Sequence, residues 1–204
     1  MTYEYLPKDS TTWLKGKTEI PGGFYFGCAI AVRSEQVIWL IGGTNTEKRI
    51  LSFNVKEHTF HELPFQLNVG RQKHRCAFIP NSNKIMITGG MDSGNSYLDS
   101  AEILDIDDGN VTMASPMNYK RSNHGIGVVN INGENKLIVF GGQNEYYHNI
   151  MGHLYEDVEK LDSVEIYNTQ SNEWENTNIK LKNCKSRFGF VTVPLRDIIA
   201  KCIV

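Results

Sequence analysis

The sequence predicts an all-β fold made of repeated four-stranded antiparallel sheets, and three observations carry that prediction. Val37-Ile38-Trp39-Leu40-Ile41-Gly42-Gly43, Lys84-Ile85-Met86-Ile87-Thr88-Gly89-Gly90 and Lys136-Leu137-Ile138-Val139-Phe140-Gly141-Gly142 share one form: a short apolar run closed by a glycine pair. From Gly42 to Gly89 is 47 residues and from Gly89 to Gly141 is 52, a period typical of repeat proteins. The residues flanking the three runs recur as well.

Each run reads as a strand buried on both faces, because such strands are continuously apolar rather than alternating. Val37, Ile38 and Trp39, like Ile138, Val139 and Phe140, are β-branched or aromatic and favour strand. The glycines open backbone angles closed to other residues and let a second segment approach closely. After each pair comes a loop and a further strand. Asp99-Ser100-Ala101-Glu102-Ile103-Leu104 matches Asp162-Ser163-Val164-Glu165-Ile166-Tyr167; Ile50-Leu51-Ser52-Phe53 is a degraded copy, and Tyr3-Glu4-Tyr5-Leu6 fits the same slot. Seven residues beyond the end of each stand Trp13, Phe60, Val111 and Trp174, read as side chains covering one sheet against its neighbour. Polar turn residues such as Asp107-Asp108-Gly109-Asn110 lie between.

A fourth element precedes each apolar run. Gly23–Ile30, Arg71–Phe78, Arg121–Val128 and Lys185–Thr192 align, with small residues at their centres that suit strands converging on an axis. Each repeat is then four strands, a to d, with the glycine pair ending b. Sheets repeated in this way describe the blades of a β-propeller. The expected division is strands c and d of a split blade in 1–22, blade 1 in 23–67, blade 2 in 68–117, blade 3 in 118–181, and strands a and b of the split blade in 182–204. Two closures are open. Lys201–Val204 pairs with Tyr3–Leu6 to make a fourth blade, or the chain is an arc of a larger ring whose open edge invites self-association.

These residues resemble the kelch family, whose repeat joins a diglycine at the end of strand b to a Tyr in strand c and a Trp in strand d. The structural set here is Gly42, Gly43, Gly89, Gly90, Gly141, Gly142, Tyr167, Trp13 and Trp174. Blade 3 matches best; blades 1 and 2 carry Phe53/Phe60 and Leu104/Val111 at the aromatic positions. The resemblance implies protein binding through the d–a and b–c loops, as in substrate adaptors or actin scaffolds. It also admits two enzyme alternatives: a galactose oxidase-like copper enzyme, and a sugar-converting enzyme similar to the sialate epimerases.

Composition agrees with a globular chain: 40% hydrophobic, 22% charged and a net charge of −2 over 204 residues, which gives no basis for nucleic-acid binding. No run of 18 apolar residues and no signal-peptide pattern is present, so no membrane span is expected. Cys28, Cys76, Cys184 and Cys202 are scattered without a CxxC pair, which suggests neither zinc site nor disulfide framework and fits a cytoplasmic protein. Cys28 and Cys76 are placed at one equivalent strand-a position and read as small buried thiols.

Because strand direction alternates, the d–a and b–c loops share a face. Arg71, Lys73, Arg75, Arg121, Asn123, Lys185 and Arg187 lie in its d–a links, with Arg71 and Arg121 expected outside the blade core. The third b–c loop is the longest and carries Tyr146 and Tyr147, with His148 and His153. Loops on a rigid scaffold are the usual place for recognition, and Tyr and Arg are enriched at binding hot spots. The expected partner is a protein or peptide, acidic or polar. Glu102, Glu165, His74 and His124 recur with the repeat, which marks them as structural. The His and Tyr residues of the long loop come from one loop instead of converging from several blades, so no cofactor, metal or catalytic residue is expected.

Overall fold

The computed structural model describes residues 3–5, 10–16, 18–32, 36–150 and 153–187, with residues 5, 146–150 and 153–156 described by their backbone alone. Among these residues the regular structure is all strand. A hairpin, β1 (Glu4–Tyr5) and β2 (Leu14–Lys15), comes first. Blade 1 is β3 (Cys28–Ala31), β4 (Val37–Ile41), β5 (Ile50–Asn54) and β6 (Thr59–Glu62). Blade 2 is β7 (Arg75–Phe78), β8 (Lys84–Thr88), β9 (Ala101–Asp105) and β10 (Val111–Ala114). Blade 3 begins with β11 (Gly125–Ile131) and β12 (Glu134–Phe140), is interrupted by a ribbon of β13 (Gln143–Ile150) and β14 (His153–Lys160), and resumes with β15 (Ser163–Asn168) and β16 (Glu173–Lys180). Each blade is an antiparallel meander with its strands in sequence order.

The apolar runs fall on the second strand of each blade because both faces of that strand are covered. Ile85 and Ile87 of β8 pack against Trp39, Ile41 and Ile50 of blade 1. Met86, between them, turns the other way, toward Ile126, Leu137 and Val139 of blade 3. Alternation across the strand feeds two cores from one segment. Each fully buried Ile or Leu there contributes about 1.5–3 kcal/mol of transfer free energy.

The glycine pairs join neighbouring blades. All six glycines have positive φ, 57–62° at the first position and 94–102° at the second. The first glycine donates its N–H within its own blade: Gly42 to Arg49 O, Gly89 to Ser100 O, Gly141 to Ser163 O. The second donates across to the link entering the next blade: Gly43 to Arg71 O at 2.9 Å, Gly90 to Arg121 O at 2.9 Å, Gly142 to Lys185 O at 2.6 Å. A Cβ on Gly90 would stand 2.5 Å from Gln72 O and 2.9 Å from His74 Cβ, so no larger residue fits there.

Three expectations need correction. Trp13 is 62% exposed instead of covering a sheet. Only one face of the β1–β2 hairpin meets blade 1, and alternation gives that face to Tyr3, whose ring lies 4.8 Å from Phe53 and 5.8 Å from Phe60. Trp174 occupies the corresponding place in blade 3 and is buried because blade 2 covers it; its indole N–H donates to Ser115 O at 3.0 Å. The long third b–c loop forms a β-ribbon.

The remaining two corrections concern strand a. Cys28 pairs with Ile41, Arg75 with Thr88 and Gly125 with Phe140, which makes Cys28 equivalent to Arg75 and puts Phe24, not Gly23, in the place of Arg71. Cys28 and Cys76 are therefore offset by one residue, point to opposite faces of their sheets, and meet between blades 1 and 2 as a disulfide. The expected pairing of Lys201–Val204 with Tyr3–Leu6 involves residues outside those described.

Candidate interaction face

The d–a links and b–c loops lie together at one end of the blades, interlocked by backbone bonds such as Leu67 N–H to Lys48 O and Met117 N–H to Asp99 O, both 2.9 Å. A cleft of about 580 Å³ opens there between the first two b–c loops and the link between them, lined by Asn45, Glu47, Lys48, Asn68, Asp92 and Ser93 among others.

Arg71 and Arg121 belong to this face by chain position but not by side chain. Both are fully buried, against the expectation of a basic rim. The Arg71 guanidinium donates to Gly89 O (2.8 Å), to Ser100 O (3.0 Å) and Oγ (3.2 Å), and to Glu102 Oε1 (2.8 Å). Arg121 repeats the pattern with Gly141 O (2.8 Å), Ser163 Oγ (3.0 Å) and Glu165 Oε1 (2.6 Å). The carboxylates are shared: Glu102 also accepts from the N–H groups of Asn68 and Val69, and Glu165 from the N–H and side-chain amide of Asn118. Each network ties a d–a link to the end of strand b and the start of strand c in the blade it enters. A buried pair of this kind is tolerated because hydrogen bonds fill its remaining valences.

Blade 1 lacks the network at every point. Phe24, Arg49 and Leu51 stand where the other blades have Arg, Ser and Glu. The sequence held this signal, since Arg, Ser and Glu are present together in blades 2 and 3 and are lost together in blade 1.

His74 and His124 follow the two arginines and are also fully buried. Burial, together with the positive charge of Arg71 and Arg75, pushes the His74 pKa down to about 3. Burial and Arg121 lower that of His124. Both rings are neutral, and His124 Nε2 shares a 2.8 Å hydrogen bond with Thr88 Oγ1 of the preceding blade.

Phe26, Lys73, Asn123 and Arg187, the next positions around the axis, all have φ between 51° and 57°. Their backbones form a chain from blade to blade: Lys73 N–H to Phe26 O (2.6 Å), Asn123 N–H to Lys73 O (2.9 Å), Arg187 N–H to Asn123 O (3.1 Å). Lys73 Nζ lies 3.4 Å from Met91 Sδ and 5.7 Å from the centre of the Phe26 ring. Arg75 is half-buried and donates to His74 O at 3.1 Å. Burial lowers its pKa, and no carboxylate meets it among the described residues. Asn123 is buried, while Lys185 and Arg187 are exposed. Tyr146 and Tyr147 lie on β13, and their side chains fall outside those described, as do those of His148 and His153.

A family model described as the kelch motif matches residues 74–118, which span blade 2 from His74 through β10. The solved structure of YjhT superposes with a TM-score of 0.73 at 12% identity, covering 91% of this chain and 64% of that one. The chain has the fold of a kelch-type β-propeller and carries a kelch motif in blade 2. The chain spans 64% of that neighbour's length, and at such low identity the likeness is one of fold alone. Among curated proteins none matches this sequence. In kelch terms, the diglycine, the Tyr and the Trp are scaffold, and the Arg–Ser–Glu set belongs to the scaffold with them.

Two outcomes test the assignment of these buried groups to the scaffold. Arg71→Ala or Glu102→Ala alone strands a buried charge and is expected to cost about 3–5 kcal/mol in urea denaturation. Arg71→Phe with Glu102→Leu, which copies blade 1, costs much less than the sum of the single changes. The histidines give a pH dependence. The folded pKa of His74 lies below the unfolded value of about 6.5, so its stability contribution is complete above that pH and is lost as the pH falls toward about 3. Between pH 7 and 5.5 each neutral histidine accounts for a loss of about 1 kcal/mol, and His74→Gln is expected to remove its share. An identical drop in wild type and variant contradicts this reading.

Proposed function

We propose that this face is a docking surface for an acidic segment of a partner protein and that the chain acts by binding, not by catalysis. The kelch motif and the propeller fold support a protein-interaction module in general. The half-buried Arg75 guanidinium, without a carboxylate among the described residues, carries the finer reading. Removing a cation from water without an anion is costly, and a ligand carboxylate supplies what the scaffold does not. Lys73 adds a second cation from the neighbouring position, and the exposed Lys185 and Arg187 extend the charge along the links.

In this reading Arg71, Arg121 and the buried Asn123 position the links, while Lys73, Arg75, Lys185, Arg187 and the tyrosines of the β13–β14 ribbon are the recognition groups. Substrate-adaptor and actin-scaffold roles fall within this class.

Capture from a cell extract at two salt concentrations tests the proposal. Lys73→Gln with Arg75→Gln is expected to lose the proteins that wild type retains, while its thermal midpoint stays within a few degrees. The weakening should be roughly 10-fold or more, as for a hot-spot arginine, and larger at low salt. Equal retention by both proteins at both salt concentrations contradicts it.

A further inference from the structure

We propose that the Cys28–Cys76 disulfide is a redox-sensitive lock on the joint between blades 1 and 2, and that the chain works where this bond stays oxidised. The two sulfurs come from β3 and β7, the innermost strands of adjacent blades, with their Cα atoms 6.0 Å apart and 48 residues apart in sequence. That separation lies within the range a disulfide spans without backbone movement. It depends on the one-residue offset: two cysteines at equivalent positions would point the same way around the ring and would not meet.

The two joints show what the bond replaces. Between blades 2 and 3 the inner rim is held by a side-chain hydrogen bond, Thr88 Oγ1 with His124 Nε2. Between blades 1 and 2 the same places hold Ile41 and His74. Ile41 offers the imidazole no hydroxyl, so no side-chain-to-side-chain bond corresponds to it, and the disulfide is found in this joint. Blade 1 is also the blade in which Phe24 and Leu51 replace the buried Arg–Glu pair. The covalent link therefore secures a joint that lacks the Thr–His hydrogen bond of the next one.

Closure removes two protons and two electrons from the Cys28 and Cys76 thiols, and a disulfide oxidant such as oxidised glutathione takes them up as it is reduced to two thiols. A dithiol reductant reverses the step. Cys28 is buried and Cys76 half-buried, so exchange reaches the bond from the Cys76 side. Stable disulfides belong to oxidising compartments, in contrast to the cytoplasmic setting that the scattered cysteines suggest.

The test uses the full chain in oxidised glutathione, with peptide mapping and thermal unfolding before and after treatment with dithiothreitol. Linked peptides containing Cys28 and Cys76 are expected. Reduction should lower the midpoint by roughly 5–15 °C, and Cys28→Ser with Cys76→Ser should match the reduced protein and ignore the reductant. Should that variant fail to fold, hydrogen exchange on wild type decides. Amides of β3 and β7 should exchange faster after reduction, while those of β11 stay unchanged. Unlinked peptides, a midpoint indifferent to reductant, or uniform acceleration across all blades would each overturn the proposal.

Discussion

One hydrogen bond, repeated at each joint, fixes how the blades stand against one another: the N–H of the second glycine donating to the carbonyl of the next d–a link. Gly43, Gly90 and Gly142 make it at 2.6–2.9 Å, each with φ near 100°. A residue with a Cβ is excluded twice, by its backbone angles and by the space that the neighbouring link occupies. The bond holds the link against the preceding blade, so the apolar faces of successive strands b meet. The two core clusters depend on that placement.

Anchoring from the other side comes from the buried arginines. Arg71 and Arg121 accept the glycine N–H groups through their backbone carbonyls, and their side chains grip the following blade. Each link is thus held by both blades it connects. This explains why two arginines on a proposed recognition face are unavailable for recognition, while Lys73 in the same link and Arg75 at the start of β7 remain. The row of positive-φ residues Phe26, Lys73, Asn123 and Arg187 lies on this frame, joined by backbone hydrogen bonds from blade to blade.

Much of the fold was legible because its physics is periodic. The glycine pairs, the two-sided strands and the paired positions Tyr167 and Trp174 each obey a local rule that recurs. The recurrence of Glu102 and Glu165 correctly marked them as structural, though their partners were not foreseen. Arg71 and Arg121 were misread because chain position gives the loop but not the direction of a long side chain. The disulfide was not legible because the residue types of 23–30 resemble those of 71–78 one residue out of register. Gly23 was matched to Arg71 where the backbone matches Phe24, and in a strand one residue reverses the face. The ribbon at 143–160 was missed because its residues have no counterpart in the other two repeats.

Native-state hydrogen exchange at Gly43 and Gly90 tests the central claim most directly. If the glycine-to-link bonds hold the blades together, these two amides exchange only when neighbouring blades separate. Their opening free energies should then equal those of core amides such as Ile87 and Val139. Exchange at Gly43 and Gly90 as fast as that of the exposed Asn45 or Gly94, with the β8 and β12 cores still protected, would contradict the account.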